Sequence, residues 1–221
     1  MAGNGQPDVH QAARIAMVET QLRSRGIRDQ RVLDAMLAVP RHEFAPPHYE
    51  GRAYGDHPIP IAESQTISQP YVVAAMLEAL EIRPEDNVLE VGTGSGYQTA
   101  LLAELARRVH SIDRHATLVE QARPILKRLG YENIALHVGD GSQGLPQAAP
   151  FDAIVVAAAA PQVPPPLFEQ LREGGRMVIP VGSPYGQELQ LVRKHQGQML
   201  ISRQEGVRFV PLIGEEGFRA G

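Results

Sequence analysis

A glycine-rich turn preceded by a carboxylate is the segment of this sequence with the clearest chemical potential. It spans Leu89–Gly96, reads LEVGTGSG, and lies between a predicted strand and a predicted helix. Glycines at such a junction allow a tight turn and let the backbone approach a ligand without obstruction by a Cβ atom. Ligands of open α/β sheets lie beyond the carboxyl ends of the strands, so the turn predicts a small-molecule site there.

The order of these glycines favours S-adenosylmethionine over a dinucleotide. A dinucleotide turn has the order G-x-G-x-x-G, whereas the glycines here are Gly92, Gly94 and Gly96. Glu90 precedes them, and a carboxylate is poorly placed beside a pyrophosphate but well placed near a cationic amino-acid ligand. S-adenosylmethionine has no phosphate and carries a sulfonium and an ammonium group, so it fits this turn better.

Two further acidic residues follow the next two predicted strands. Asp113 closes the second strand, where its carboxylate can accept hydrogen bonds from both ribose hydroxyls, and Arg114 is its neighbour in the predicted site. Asp140 ends the third strand beside Gly141 and can accept the adenine amino group. A glycine-rich turn alone could serve only tight packing, and a nicotinamide or flavin nucleotide is the alternative ligand. The three carboxylates together favour S-adenosylmethionine.

An alternation of strands and helices must position these residues. The predicted strands are 87–91, 109–112, 134–138, 151–157 and 177–181, and the predicted helices are 97–107, 118–129 (which contains Pro124) and 167–171. Segments 187–193 and 199–210 follow without a helix between them and predict an antiparallel pair. The expected α/β fold is a doubly wound, mostly parallel sheet of the Rossmann-like methyltransferase type, with an antiparallel C-terminal edge.

Helices joined by proline-rich loops precede this sheet and form an N-terminal helical extension. Asp29 can cap one helix, and Pro70 suits the first turn of another. Residues 40–60 form a long loop rich in proline and glycine, and loops of this length in compact domains are usually functional. We therefore expect a flexible tail at 1–11, a helical and loop region on the substrate side at 12–82, the cofactor-binding core at 83–213, and a C-terminal tail at 214–221.

The composition excludes several classes of site. The 221 residues include no cysteine, which excludes disulfides, thiolate metal sites and cysteine nucleophiles. Eight histidines are scattered without metal-ligand spacing, and the net charge of −4 disfavours a nucleic-acid partner. No apolar run is long enough for a membrane span, and the polar N-terminus predicts no signal peptide. We expect a cytoplasmic monomer with no metal, nucleic-acid or membrane partner.

Long stretches of the chain resemble the protein-L-isoaspartate O-methyltransferases, over roughly residues 12 to 213. The segments that carry the resemblance are 17–22, 25–27, 39–44, 54–61, 65–71, 90–99, 139–141, 151–160, 176–182 and 207–212. The Thr-Ile-Ser-x-Pro segment Thr66–Pro70 is the most family-specific of them. The resemblance implies methyl transfer from S-adenosylmethionine to the free carboxylate of L-isoaspartyl residues in damaged proteins, with D-aspartyl residues as a further candidate. The resulting ester would collapse to a succinimide and so begin repair.

The same resemblance implies roles for residues outside the glycine turn. Ser68 would lie in the active site beside the methyl donor and the isoaspartyl carboxylate, with Thr66 and Ile67 lining the same pocket. The segment Val207–Leu212 would lie along the substrate peptide. The substrate contacts expected there are Val207, Phe209 and Val210. Without the resemblance, a serine just before a helix is by default an N-terminal cap, and both roles can coexist.

Two residues depart from the family pattern. Ser64 replaces a glycine that is often seen before the Gln-Thr-Ile-Ser motif, and Ala157 stands where threonine is common. Neither change removes a group on which the predicted site depends. We assign no chemistry to Arg41 and His42, which could be a solvated helix end.

The expected reaction needs no general base, because a carboxylate with a pKa of about 4 is already ionised at neutral pH. A methyltransferase that acts on a small molecule or on RNA is the alternative within this class. An Asn-Pro-Pro-Tyr-type motif or a catalytic cysteine would support that alternative, and the sequence contains neither. A cofactor-binding module without catalysis is a further alternative. A serine hydrolase is excluded because there is no G-x-S-x-G elbow.

Overall fold

Seven strands form one mixed sheet at the centre of the structure, a computed structural model that describes residues 9–219. The helices are α1 (Gln11–Met17), α2 (Gln30–Ala38), α3 (Pro70–Leu80), α4 (Tyr97–Leu105), α5 (Ala116–Arg128) and α6 (Pro165–Glu169). A small hairpin consists of β1 (Ile59–Pro60) and β2 (Thr66–Ile67). The strands of the large sheet are β3 (Asn87–Val91), β4 (Arg108–Asp113), β5 (Ile134–Val138), β6 (Phe151–Val156), β7 (Leu171–Ser183), β8 (Gly186–His195) and β9 (Gln198–Val207).

The order of strands confirms the predicted fold class. The order across the sheet is β5-β4-β3-β6-β7-β8-β9. The strands from β5 to β7 pair in parallel, and β8 and β9 continue the sheet in antiparallel pairing. Every residue of β6 is buried, because helices cover both faces of the parallel part. The chain changes direction across the sheet between β3 and β6, and ligands of such sheets bind at that switch point.

The N-terminal helices share a hydrophobic core with the sheet. Apolar side chains of α1, α2 and α3 join those of β3 and β6 in one buried cluster, for example Met17, Leu33, Leu77, Val88 and Val155. As predicted, Asp29 caps α2, and its carboxylate accepts hydrogen bonds from the first-turn N–H groups of Arg31 and Val32. The long loop before the hairpin is not structureless. It contains short 3₁₀ turns at Arg41–Phe44 and Pro47–Arg52.

The helices differ from their predicted bounds by a few residues. The helix expected over residues 167–171 begins at Pro165, which suits a first turn, and ends at Glu169 because Leu171 already begins β7. Pro124 lies inside α5 without interrupting it. Both Pro124 and Glu120, whose carbonyl loses its intrahelical donor, lie on the exposed side of the helix, where water can satisfy that carbonyl.

The predicted tails have different outcomes. Residues 1–8 of the N-terminal tail lie outside the described residues, and α1 begins at Gln11. The C-terminal segment is not a free tail, at least as far as residue 219. The Phe218 N–H donates to the Leu212 carbonyl at 2.7 Å, and the Glu215 N–H donates to the Asp140 carboxylate at 2.8 Å. These bonds fold the segment back onto the carboxyl ends of the strands.

Candidate active site

A cleft of about 1180 Å³ opens at the carboxyl ends of the parallel strands. Its walls include the loop between β2 and α3, the turns after β3, β4, β5 and β6, parts of β7 and β8, and the segment that follows β9. Eleven residues of the predicted site line this cleft: Thr66, Ile67, Ser68, Gly92, Gly94, Asp113, Arg114, Gly141, Val207, Phe209 and Val210. The structure thus brings the predicted donor side and the predicted acceptor side into one cavity.

The glycine turn has the backbone conformation for which glycine was predicted. Gly92, Gly94 and Gly96 have φ angles of +100°, +53° and +89°, a region that side chains disfavour. Gly92 and Gly94 line the cleft, but Gly96 does not. A Cβ atom on Gly96 would lie 3.0 Å from the Cβ of Ala122 in α5. Gly96 therefore permits close helix packing, and the ligand contact expected of it stays a prediction.

Glu90 lies behind the glycine turn and does not line the cleft. Its side chain is fully buried, and Oε2 accepts hydrogen bonds from the hydroxyls of Thr99 at 2.5 Å and Ser111 at 2.6 Å. The Ser111 hydroxyl also lies 2.6 Å from that of Thr93 in the turn. Burial raises the pKa of Glu90 to about 7. The Glu90 side chain thus projects into the core beneath the turn, and the ligand contact predicted for it stays a prediction.

Asp113 occupies the predicted position at the end of β4. Its Oδ2 accepts a hydrogen bond from the Gly94 N–H at 2.9 Å, and its Oδ1 accepts one from the His115 N–H at 2.9 Å. Each carboxylate oxygen can accept a second hydrogen bond. Asp113 therefore holds the glycine turn in place and presents two oxygens to the cleft, as two ribose hydroxyls would require.

Asp140 engages the backbone of the C-terminal segment, which sequence reasoning did not anticipate. Its Oδ1 accepts hydrogen bonds from the N–H and hydroxyl of Ser142, and its Oδ2 accepts the N–H of Glu215. Burial alone would raise the pKa of Asp140, but these hydrogen bonds outweigh burial and lower it. Asp140 lines a neighbouring depression, whereas Gly141 lines the cleft itself. The contact of Asp140 with adenine stays a prediction.

Ser68 lines the cleft and does not cap α3. The residue at the N-cap position is Gln69, and no side chain caps the helix there. Among residues 9–219 the Ser68 hydroxyl has no hydrogen-bond partner, while the Ser68 carbonyl accepts a hydrogen bond from Arg41 Nη2 at 2.9 Å. The default interpretation of Ser68 as a cap is therefore wrong. Its hydroxyl is available to a ligand in the cleft.

The expectation of a solvated helix end at Arg41 and His42 was also wrong. Arg41 has no exposed surface, and His42 is half-buried with Nδ1 at 2.7 Å from the Tyr54 hydroxyl. Pro40, which precedes Arg41, does not indicate this burial. It arises because the loop between α2 and β1 folds over the Arg41 side chain.

The segment after β9 forms a further wall of the cleft. The Phe209 N–H donates to Gln187 Oε1 at 2.9 Å, and Gln187 is a cleft residue that sequence reasoning missed. The Val210 carbonyl accepts the N–H of Ala159 at 2.8 Å, and the Leu212 N–H donates to the Ala159 carbonyl at 2.7 Å. These bonds fix the backbone of the segment along the cleft.

The rim of the cleft carries a strained turn. Glu63 and Ser64 have φ angles of +57° and +56°, which explains why glycine is favourable at position 64. Glu63 Oε2 lies 3.5 Å from His115 Nδ1, so this turn touches the residue that follows the β4 site. Ala157, the second departure from the family pattern, lines the cleft beside Gly92.

Two classes of site find no support in residues 9–219. No three side chains of His, Asp or Glu in that range are grouped so as to hold a metal ion. No helix in the same range is long and apolar enough to cross a membrane.

The family model and the relatives that match this chain belong to one family of methyltransferases. Residues 13–217 match the family model for protein-L-isoaspartate(D-aspartate) O-methyltransferase. The protein-L-isoaspartate O-methyltransferase of Koribacter versatilis is 59% identical over 205 residues, which cover 93% of this chain and 92% of that protein.

Two solved structures are similar over nearly the whole chain. A protein-L-isoaspartate O-methyltransferase superposes with a TM-score of 0.84 at 29% identity, covering 92% of this chain and 67% of that one. A protein-L-isoaspartate O-methyltransferase from Plasmodium falciparum, in complex with S-adenosyl-L-homocysteine, superposes with a TM-score of 0.78 at 28% identity, covering 94% of this chain and 99% of that one.

Proposed function

This chain belongs to the protein-L-isoaspartate(D-aspartate) O-methyltransferase family, and we propose that its cleft holds the methyl donor at the glycine turn and the isoaspartyl carboxylate at Ser68. The enzyme transfers a methyl group from S-adenosylmethionine to isoaspartyl residues of damaged proteins. One observation supports the assignment of the two sites above all others. Gly92 and Asp113 share a single cavity with Ser68 and Phe209, so both reactants can meet there.

The residues of the donor side fit S-adenosylmethionine. The turn is free of Cβ atoms at Gly92 and Gly94, and the Asp113 carboxylate is held in place by two backbone N–H groups. When bound, S-adenosylmethionine supplies a methyl group on a sulfonium that a carboxylate oxygen can attack. Asp113 would accept the ribose hydroxyls, with Arg114 beside it. Glu90 would act only through its charge and through its bonds beneath the turn.

The residues of the acceptor side need to orient the nucleophile more than to activate it. An isoaspartyl carboxylate is ionised at neutral pH and needs no base. Ser68 would donate its hydroxyl hydrogen to that carboxylate and fix its direction. A strong hydrogen bond would also stabilise the anion in the ground state, so the role of Ser68 is orientation. Thr66 and Ile67 would line the space between the donor and the acceptor, and exclusion of water there favours the union of an anion with a cation.

The wall at residues 207–210 supports an extended polypeptide as the substrate. The backbone of this wall is fixed by Gln187 and Ala159, so its groups are ordered before a substrate arrives. Recognition through the backbone of Val207, Phe209 and Val210 would give little preference for the side chains that flank the isoaspartate. The D-aspartyl substrate, the cytoplasmic location, the monomeric state and the lack of nucleic-acid and membrane partners stay predictions.

Ligand-dependent stability tests the donor site. S-adenosylhomocysteine at 100 times its dissociation constant should raise the free energy of unfolding by about 2.7 kcal/mol, which thermal unfolding would report as a higher Tm. In Asp113→Asn, the side-chain NH2 group must face one of the two backbone N–H groups that donate to the carboxylate in the wild-type enzyme. The affinity for S-adenosylhomocysteine should therefore fall about 10-fold or more. Stabilisation by NAD without stabilisation by S-adenosylhomocysteine would contradict the assignment.

A further inference from the structure

Arg41 is a fully buried cation that does not line the cleft but contacts Ser68, which does. The mechanism above does not use it. Its Nε donates to the Ala53 carbonyl at 2.8 Å, and its Nη2 donates to the Ser68 carbonyl at 2.9 Å. Its Nη1 is buried and has no hydrogen-bond partner. The guanidinium thus ties the loop after α2 to the residue proposed to orient the acceptor.

No carboxylate of residues 9–219 neutralises this guanidinium. Asp56 is the acidic residue whose charge reaches Arg41, but the Asp56 carboxylate pairs with Arg25 at 2.7 Å. Tyr97, whose ring centroid lies 4.7 Å from the guanidinium carbon, and Tyr54 also stabilise the charge, and neither supplies a carboxylate. Burial lowers the pKa of Arg41, which expresses the cost of holding the charge there. Buried charges are normally paired, because an unpaired one is costly to desolvate.

The contact with Ser68 also orients the peptide that enters α3. The carbonyl of Ser68 faces Arg41, and in a trans peptide the following N–H points the opposite way. That N–H belongs to Gln69, which lines the cleft and makes no backbone hydrogen bond to any residue in the described range. Arg41 therefore fixes the direction of a peptide dipole at the place where the substrate carboxylate must lie.

We propose that Arg41 is a positioning residue that selects an anionic acceptor. The isoaspartyl carboxylate of the bound substrate compensates the positive charge of Arg41. This inference rests on the proposed function, because it needs a carboxylate at Ser68. The attraction acts on the carboxylate and is lost once that group becomes a neutral methyl ester. Arg41 should therefore favour binding of the substrate over binding of the methylated product.

A pair of peptides separates charge selection from a structural role. One peptide contains isoaspartate, and the other carries a carboxamide in place of its free carboxylate. Binding of each is measured with S-adenosylhomocysteine present, so that no turnover occurs. The wild-type enzyme should bind the carboxylate peptide at least about 10-fold more tightly, as expected for one charge interaction at an effective dielectric near 20. Arg41→Met should weaken binding of the carboxylate peptide and leave binding of the carboxamide peptide within about threefold.

Two further variants complete the test. Arg41→Lys keeps the charge and should keep most of the preference for the carboxylate peptide. Its kcat should fall, because the carbonyls of Ala53 and Ser68 lose their fixed donor. Arg31→Met is the matched control, since Arg31 also joins two backbone carbonyls, of Ile82 and Leu105, but neither of these residues lines the cleft as Ser68 does. Its preference should equal that of the wild-type enzyme. Should Arg41→Met fail to fold, the wild-type and Arg41→Lys preferences decide the question.

The outcomes are distinguishable. Equal weakening of both peptides by Arg41→Met would make Arg41 purely structural and overturn the inference. A wild-type enzyme without preference for the carboxylate, or loss of the preference in Arg41→Lys, would also overturn it. If the wild-type enzyme methylates no isoaspartyl peptide, the proposed function itself fails.

Discussion

Replacement of Ser68 by alanine separates the role of its hydroxyl from the stability of the fold. The hydroxyl has no partner among residues 9–219, and Gln69 occupies the N-cap position of α3, so the variant loses no hydrogen bond of the free enzyme. Its free energy of unfolding should change by less than about 0.5 kcal/mol. A hydrogen bond to a charged group contributes about 1.5–3 kcal/mol, so kcat/KM for an isoaspartyl peptide should fall roughly 10- to 150-fold.

The assay is initial-rate methyl transfer to one isoaspartyl peptide, with thermal unfolding measured on the same preparations. Ser64→Ala is the matched control, because Ser64 lines the same cleft, four residues before Ser68, and undergoes the same change. Its kcat/KM should stay within about twofold of the wild-type value. An unchanged rate in Ser68→Ala would refute the orienting role. A covalent methyl- or acyl-enzyme at Ser68 would refute it equally.

Two further expectations concern the residues beneath and beside the cleft. Glu90 has a pKa raised to about 7 by burial, above its ordinary value of 4.5, so between these values the unfolded chain loses a proton that the folded chain keeps. The free energy of unfolding of the wild-type enzyme, relative to that of Glu90→Gln, should therefore fall as the pH rises from 5 to 8. Denaturant titrations should show a fall of up to about 3 kcal/mol. A difference between the two enzymes that does not depend on pH would contradict the raised pKa. Ser64 has a φ of +56°, so Ser64→Gly should raise the Tm by about 2–4 °C, as relief of about 1 kcal/mol of strain would do. A lower Tm in Ser64→Gly would show that the serine does not strain the backbone at this position.

The sheet could be predicted from sequence because its strands carry their own signal. The run Phe151–Val156 is apolar except for Asp152, which is typical of a strand buried on both faces. The strand Ile134–Val138 has the predicted bounds. The glycine turn was predictable for the same local reason. Its position between a strand and a helix, and its need for positive φ angles, are both properties of neighbouring residues.

The features that the sequence could not show depend on contacts between distant parts of the chain. The sequence does not show that Ala122 packs against Gly96. Asp140 is held by Glu215, which lay in the predicted tail. Arg41 is buried by a loop that closes through Ala53 and Ser68. Spacing along the chain cannot report such contacts, although the family resemblance did identify Ser68 itself.

Methyl transfer to a matched pair of peptides tests the central claim most directly. The two peptides share one sequence, and one contains isoaspartate where the other contains normal L-aspartate. With labelled S-adenosylmethionine, the isoaspartyl peptide should acquire base-labile methyl groups and the aspartyl peptide should not. Comparable labelling of both peptides, or labelling of RNA and of neither peptide, would contradict a site built for the isoaspartyl carboxylate.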